Sequence, residues 1–454
     1  MPTPPILVFN FDSRQCRFGK SAVCSYLCDY LDDIKAKTCV YEKDYIDKDY
    51  LIDYSKFYAR SFQDHGRKTE RFHFFSNNFT EEQFKTALAS GDKKFITSLQ
   101  KKYLGFIVIK PIIDRRGHKL VGRTVLGTYP EHDNGDVRKF IKNDYTVSLF
   151  GIPLKVEGLP YQQKDEGVGL CATITCWSSL FPLMNLFGIQ TSSPFEITER
   201  STTFPDDSRN FPPEGLTLQQ MKTYFSSEGL ETEFIDPKIE DPTITEKDDI
   251  VADVIKAYNH LGLPVIATLN VKKQDVITDF HAILISGYRH KNWDVKELYI
   301  HDDNIGPYHH IMQTEERKHN SRFSQWSETD SAGAQVDYEL DRLIVPVYPK
   351  IRLCFTGIYR VLLRYRRGTD TLVAARNLPQ GSRTELFLTN IRSYKEYLFN
   401  QGKIENKDTK LLHPMPRFMW IIRIHIEDMP IFDYCFDATN VYPTPFTDID
   451  FGNR

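Results

Sequence analysis

Leu159-Pro160-Tyr161-Gln162-Gln163-Lys164-Asp165-Glu166-Gly167-Val168-Gly169-Leu170-Cys171-Ala172-Thr173-Ile174-Thr175-Cys176-Trp177 is the stretch around which the chain is organised. Gly167 and Gly169 break any element that precedes them. From Cys171 onward, Ile174, Trp177, Phe181 and Met184 recur at helical spacing. The pattern predicts a helix that begins at the cysteine, with Pro182 kinking or ending it near Leu180. A thiol at a helix N-terminus meets the positive end of the macrodipole and unpaired backbone N–H groups, which favour the thiolate. In known reactive cases this lowers a free-cysteine pKa of about 8.5 to between roughly 3.5 and 7.5. The other role open to Cys171 is that of a buried structural cysteine, since free cysteines are among the most buried residues.

The chain has 454 residues, 41% of them apolar and 13% aromatic, enough for two or three domains with real cores. A formal charge of −3 and a pI near 6.5 leave no basic footprint for nucleic acid. No run of about 18 apolar residues occurs that could cross a bilayer. Met1-Pro2-Thr3-Pro4-Pro5 has no positive n-region, and Ile6-Leu7-Val8-Phe9 is too short for an h-region, so no signal peptide is expected. The eight cysteines, at 16, 24, 28, 39, 171, 176, 354 and 435, are scattered, with no C-x-x-C pair. They are expected to be reduced thiols of a soluble cytoplasmic protein, forming neither a disulfide framework nor a zinc site.

Working outward, residues 1–150 are expected to form an N-terminal α/β accessory domain, with strands at Ile6–Phe9, Arg71–Phe75 and Tyr103–Ile109, the last stopped by Pro111. Helices are expected at Ser21–Leu31 and, from the capping signal Thr80-Glu81-Glu82-Gln83, through Leu88. Tyr41, Tyr45, Tyr50, Tyr54 and Tyr58 are spaced close to a helical stripe. The polar segment Asn134–Asp144 is the expected boundary. Residues 151–350 should then hold the cysteine helix, a surface loop at Thr191–Pro213, helices at Gly215–Phe225 and Ile250–Leu261, and a strand at Val265–Leu269. Residues 314–336 read as an exposed loop. Residues 351–454 form a C-terminal α/β accessory region, with Arg360, Arg364, Arg366 and Arg367 as a solvated basic face.

A second constellation lies at Phe280-His281-Ala282-Ile283-Leu284-Ile285-Ser286-Gly287-Tyr288, a strand that opens on histidine. Glu297-Leu298-Tyr299-Ile300-His301-Asp302-Asp303-Asn304 is a strand that ends in carboxylates. In an antiparallel hairpin the two ends meet, which is what a base and its orienting acid require. Cysteine catalysis needs a thiolate, an imidazole, a third group to hold the imidazole's tautomer, and donors for the oxyanion.

Taken in order, Gln, a cysteine at a helix start, a Gly-x-Pro-Val-Ile strand, His-Ala-Ile-Leu-Ile-Ser-Gly-Tyr and a strand ending in Asp resemble the papain-like cysteine peptidases. Within them the set looks like the bacteriocin-leader-processing (double-glycine) branch and its stand-alone relatives. The resemblance covers roughly residues 155–312. It implies an α+β fold in which a papain-like domain packs a helix-borne Cys on an antiparallel sheet carrying His and Asp. It also implies Cys171 as nucleophile, His281 as general base, Asp302 as orienting acid and Gln163 as oxyanion donor beside the Cys171 backbone N–H. On that basis the chain is expected to be a cytosolic thiol protease that cleaves peptide or isopeptide bonds. Its partner would be a protein or peptide substrate, with no cofactor, nucleic acid or membrane.

Ala172 stands where the family usually has glycine. The gap from Gln163 to Cys171 is long, which keeps Gln162 in contention. Cys176-Trp177 copies papain's cysteine–tryptophan pair, but inside the helix and without a glutamine at a suitable distance before it. Asp303 and Asn304 are the alternatives to Asp302. A deamidase, transglutaminase or acyltransferase with the same triad, or an inactive interaction scaffold, are the other functional readings. His281, His290, His301, Asp302, Asp303, His309 and His310 form a run of metal-capable side chains without the ligand spacing of an H-E-x-x-H site, and His309-His310 reads as a solvated strand.

Overall fold

The computed structural model describes residues 7–133, 135–165, 167–203, 215–239, 244–245, 248–329, 333–367, 382–402 and 404–452. The chain is a mixed α/β protein in which every described strand pair is antiparallel.

Strands β1 (Leu7–Asn10), β2 (Thr38–Tyr45), β3 (Thr69–Phe75), β4 (Tyr103–Ile113) and β5 (Lys119–Leu126) form the first sheet, in that order. Its central strands are almost continuously apolar because both faces are covered, and the period of two sends alternate side chains to opposite sides. Phe72, Phe74, Ile107 and Ile109 pack under helix α1 (Ala22–Asp33) through Cys24, Leu27, Cys28 and Leu31. Phe75, Phe106 and Val108 face Phe84 of α3 (Glu81–Ser90), Leu99 of α4 (Lys93–Lys102), and the hairpin of β8 (Asn143–Leu149) and β9 (Ile152–Gly158). The capping box expected at Thr80 forms with Gln83. The domain boundary expected at 150 falls at the turn of this hairpin.

Two expectations change here. Pro111 does not stop β4, because pairing with β3 ends at Ile109 and the register with β5 slips between Ile109 and Ile113. Proline is tolerated where a strand loses a neighbour. The tyrosine stripe is not one helix. Tyr41 and Tyr45 lie on β2, Tyr50 and Tyr54 on α2 (Lys48–Lys56), and Tyr58 in a 3-10 turn, with the Asp47 side chain capping α2 through Tyr50 N–H.

The central sheet runs in the order β10 (Glu231–Ile235), β16 (Gln335–Val347), β11 (Val265–Lys273), β12 (Val276–Lys291), β13 (Asp294–Asp302), β14 (Gly306–Met312). β15 (Gln325–Thr329) joins β16. β6 (His132–Asp133) pairs with β7 (Asp136–Phe140), which pairs with β12, so the expected boundary segment is stitched into the central sheet. Strands β15 and β16 also occupy part of the 314–336 stretch expected to be loop.

Helix α5 (Cys171–Phe187) packs on β11 and β12. It passes through Pro182 to a left-handed cap at Gly188 (φ 74°). The missing hydrogen bond costs about 3 kcal/mol in a helix interior, but every residue from Ala172 to Leu183 is buried, and that packing holds the helix together. The loop expected at Thr191–Pro213 contains α6 (Pro194–Ser201), with a capping box between Ser193 and Glu196 and proline at its start; residues 204–213 lie outside the described residues. Helices α7 (Leu218–Ser227) and α8 (Ile250–Asn259) form as expected.

Beyond 351, α9 (Phe355–Arg366) and the sheet β17 (Arg383–Asn390), β18 (Phe418–Ile426), β19 (Met429–Asp437), β20 (Pro445–Asp450) share a core with the central layer. Ile358, Leu362, Trp420 and Ile422 belong to the same apolar cluster as Val254, Tyr258 and Leu284. The basic face of α9 is not wholly solvated. Arg366 reaches inward, with Nη1 2.6 Å from Asp248 and 3.1 Å from Asp253.

Candidate active site

Helix α5 begins at Cys171. Leu170 before it is extended (φ −83°, ψ −177°) and supplies no side-chain cap, so the first-turn N–H groups are left to whatever occupies the site. The approach to the helix is a tight loop. Asp165 and Gly169 exchange two backbone hydrogen bonds, both 2.9 Å. The Asp165 carboxylate accepts from the Gly167 N–H (3.0 Å) and from the Tyr58 hydroxyl. A Cβ on Gly167 would lie 2.8 Å from Phe57 and 3.0 Å from Tyr58 Oη, so this position requires glycine for close approach. The N-terminal module thus clamps the loop that delivers the cysteine.

The same module holds the glutamines. Tyr161 exchanges backbone bonds with Thr124 of β5 (2.7 and 2.9 Å), and the Gln163 N–H donates to Val121 O at 3.0 Å. Val121 N–H in turn donates to Gln163 Oε1 at 3.2 Å, which uses the amide's acceptor and leaves its NH2. Gln163 lines a cleft of about 1070 Å3 between the β4–β5 hairpin, the 163–167 loop and residues Asn304 and Ile305. Gln162, by contrast, is 1% exposed, and its Nε2 has no hydrogen-bond partner among the described residues.

His281 lies on β12 and Asp302 ends β13. The register Leu284↔His301 brings the start of one strand to the end of the other. His281 Nε2 is 2.9 Å from Asp302 Oδ2, and Asp302 Oδ1 accepts the Asn304 N–H at 2.8 Å. Thr175 Oγ1, within 3.0 Å of both Cys171 O and Ala282 O, sets the start of α5 beside the His281 strand, and the neighbouring Cys171 thiol helps to raise the His281 pKa, so the structure brings Cys171, His281 and Asp302 together. With Nε2 engaged by Asp302, Nδ1 is the ring nitrogen left for the thiol. Burial by itself would push the His281 pKa down, but the charge and hydrogen bond of Asp302 push it well above the ordinary value. Burial likewise works to raise Asp302, and the His281 charge prevails and holds it low.

Thr175 Oγ1 lies 2.9 Å from Cys171 O and 3.0 Å from Ala282 O, which joins the first turn of α5 to the histidine strand. Cys176 is fully buried, and burial pushes its thiol far up, so it is a core residue. Asp303 is 4% exposed, with Oδ1 3.9 Å from His281 Nε2 and neither oxygen hydrogen-bonded among the described residues. Burial pushes its pKa up to about 6.

The remaining histidines of the run go elsewhere. His301 sits edge-on to Tyr161 and Tyr308, His309 Nε2 is 3.1 Å from Glu328, and His310 Nδ1 is 2.7 Å from Glu297. The His309-His310 strand is therefore paired with carboxylates rather than simply solvated. Only His281, Asp302 and Asp303, among the described residues, bring three metal-capable donors within 4.8 Å of one another.

Sequence reasoning did not find Thr175, Tyr58 or Asp165 as parts of this arrangement. The Tyr58–Asp165 contact spans 107 residues, a separation at which no local pattern signals proximity. No protein-family model matches this chain, and no curated protein matches it.

Proposed function

We propose that the chain is a papain-like cysteine hydrolase that cleaves peptide or isopeptide bonds in a protein or peptide substrate in the cytosol. The observation that carries this reading is the start of α5, with Cys171, tied through Thr175 to the strand of His281, whose Nε2 lies 2.9 Å from Asp302. In the proposed reaction the Cys171 thiol gives its proton to His281, and the sulfur attacks the scissile carbonyl carbon. The oxyanion is taken up by the Cys171 backbone N–H and the Gln163 side-chain NH2. The imidazolium then donates its proton to the leaving amine as the C–N bond breaks. Water adds to the thioester with His281 as base, releasing the carboxylic acid and restoring the thiol. Asp302 holds the ring with Nε2–H toward itself, so that Nδ1 faces the sulfur.

The free thiols of the described cysteines suit a reducing compartment. The test is turnover of a positional-scanning library of peptidyl aminocoumarins by the full chain and by Cys171→Ala. Cleavage that depends on Cys171 is expected. Cleavage that survives Cys171→Ala would refute the reading. Acyl transfer to an added amine in place of hydrolysis would identify a transferase with the same triad.

A further inference from the structure

The least explained group in the molecule is Asp303. Both of its oxygens are buried without a hydrogen-bond partner among the described residues, and burying an ionised carboxylate unpaired costs several kcal/mol. The charged groups facing it are His281 of β12, its neighbour Asp302, and Lys164 from the loop before Cys171. None of them hydrogen-bonds it.

We propose that His281, Asp302 and Asp303 form a binding site for a divalent metal ion of the zinc class, and that filling it switches the Cys171 centre off; the second half rests on the hydrolase reading above. The donor set is one imidazole nitrogen and two carboxylates, a mixture that suits zinc better than the all-oxygen shells of magnesium or calcium. Zinc bonds of about 2.0–2.1 Å in tetrahedral geometry put neighbouring ligand atoms about 3.3 Å apart. The distances from His281 Nε2 to Asp302 Oδ2 and to Asp303 Oδ1, 2.9 and 3.9 Å, bracket that value, so small rotations of two side chains suffice. The outer shell is in place too, since the Asn304 N–H already orients Asp302 through Oδ1. Asn304 and Ile305, next along the chain, line the large cleft.

The consequence for the thiol follows from the imidazole's two nitrogens. A metal on Nε2 takes the ring as its Nδ1–H tautomer: from the neutral ring the hydrogen that Nε2 shares with Asp302 moves to Nδ1 by way of solvent, and from the imidazolium that Nε2 proton is released to solvent. The ring then carries its remaining hydrogen on Nδ1 and cannot accept the Cys171 proton. The metal is thus an inhibitor competing for the base, with no part in bond cleavage.

Two measurements decide this. The first is calorimetric titration of zinc chloride into full-length Cys171→Ala, where the thiol cannot serve as a ligand, and into Cys171→Ala/Asp303→Asn, whose fold is checked by its melting temperature. One zinc per chain with proton release is expected, weakened at least about tenfold by Asp303→Asn. Zinc held elsewhere would be indifferent to Asp303→Asn. Equal affinity in the two proteins, or no binding at 100-fold excess zinc, overturns the site. The second is alkylation of wild-type Cys171 by iodoacetamide, which zinc should slow and a chelator restore. Binding without slowing overturns the switch. Because the titration needs no turnover, loss of the metal site would leave the hydrolase reading standing, and a chain that binds zinc but cleaves nothing would sink only the latter.

Discussion

The Thr175 hydroxyl oxygen stands between the carbonyl oxygens of Cys171 and Ala282, at 2.9 and 3.0 Å, and so joins the first turn of the cysteine helix to the residue after His281. One hydroxyl proton serves both carbonyls, and it fixes how far the sulfur's helix stands from the imidazole's strand. Thr175→Val keeps the shape and removes the joint. It should lower kcat by about tenfold or more, as expected when a base drifts from its nucleophile. It should cost only about 1–2 kcal/mol of stability, measured by urea unfolding.

The two neighbouring cysteines should behave oppositely. Cys171→Ala is expected to abolish turnover with little change in melting temperature, because the residue is half-buried at a helix end. Cys176→Ala should keep turnover and lose about 1–2 kcal/mol through a small core cavity. His281→Ala should match Cys171→Ala, with the double variant no worse than either, since members of one triad act as a unit. Steady-state kinetics on the four proteins checks this.

Asp302→Asn should reduce kcat/KM by a smaller factor than loss of the nucleophile, because an amide can still engage the ring. A chelator should not lower the wild-type rate. If chelation abolishes activity and added metal restores it while Cys171→Ala is harmless, the metal at His281, Asp302 and Asp303 performs the reaction itself.

Much of this arrangement was legible in the sequence, and the reasons are local. Gly167, Gly169 and the spacing of Ile174, Trp177 and Phe181 mark a helix that starts at Cys171, and His281 and Asp302 sit at matching ends of adjacent strands. The misreadings have local causes as well. The spacing of Tyr41 to Tyr58 straddles a strand, a helix and a 3-10 turn, although Asp47 announced the helix as its cap. Ser193-Pro194-x-Glu196 is a capping signal hidden in a Ser/Thr/Pro-rich stretch that resembles a loop. The attachment of Gln163 to Val121, and of Asp165 to Tyr58, joins segments far apart in the chain. Periodicity and turn chemistry carry no information over such distances.

Those long-range attachments make the N-terminal module part of the site. Tyr58→Phe removes the hydroxyl that holds Asp165 while keeping the ring packed among Tyr50 and Phe57. It should lower kcat/KM several-fold with a small change in melting temperature, read by kinetics and calorimetry in parallel.

Acid should destabilise the fold through His73 in the first sheet. Burial holds its pKa down to about 4, where it is fully enclosed against Tyr103 Oη (2.8 Å) and Glu42 (3.3 Å). The folded state keeps the ring neutral, while the unfolded chain protonates it near pH 6.5. Stability is therefore full above about pH 6.5 and is lost as pH falls toward 4, by on the order of 3 kcal/mol for this group. His73→Gln keeps a hydrogen-bonding side chain and removes the titration, so its melting temperature should fall less between pH 7 and pH 5 than that of the wild type.

The most direct measurement is the rate at which iodoacetamide alkylates each cysteine at about pH 6, mapped by mass spectrometry in the metal-free full chain and in His281→Ala. At that pH an ordinary thiol of pKa about 8.5 is almost wholly protonated and reacts slowly. A thiol that passes its proton to a neighbouring imidazole reacts fast. Rapid alkylation at Cys171, slow alkylation at the other cysteines, and loss of the fast phase in His281→Ala are the predicted results. A Cys171 that reacts no faster than exposed Cys354, or whose rate is unchanged in His281→Ala, would contradict the thiol–imidazole pair on which the proposed chemistry depends.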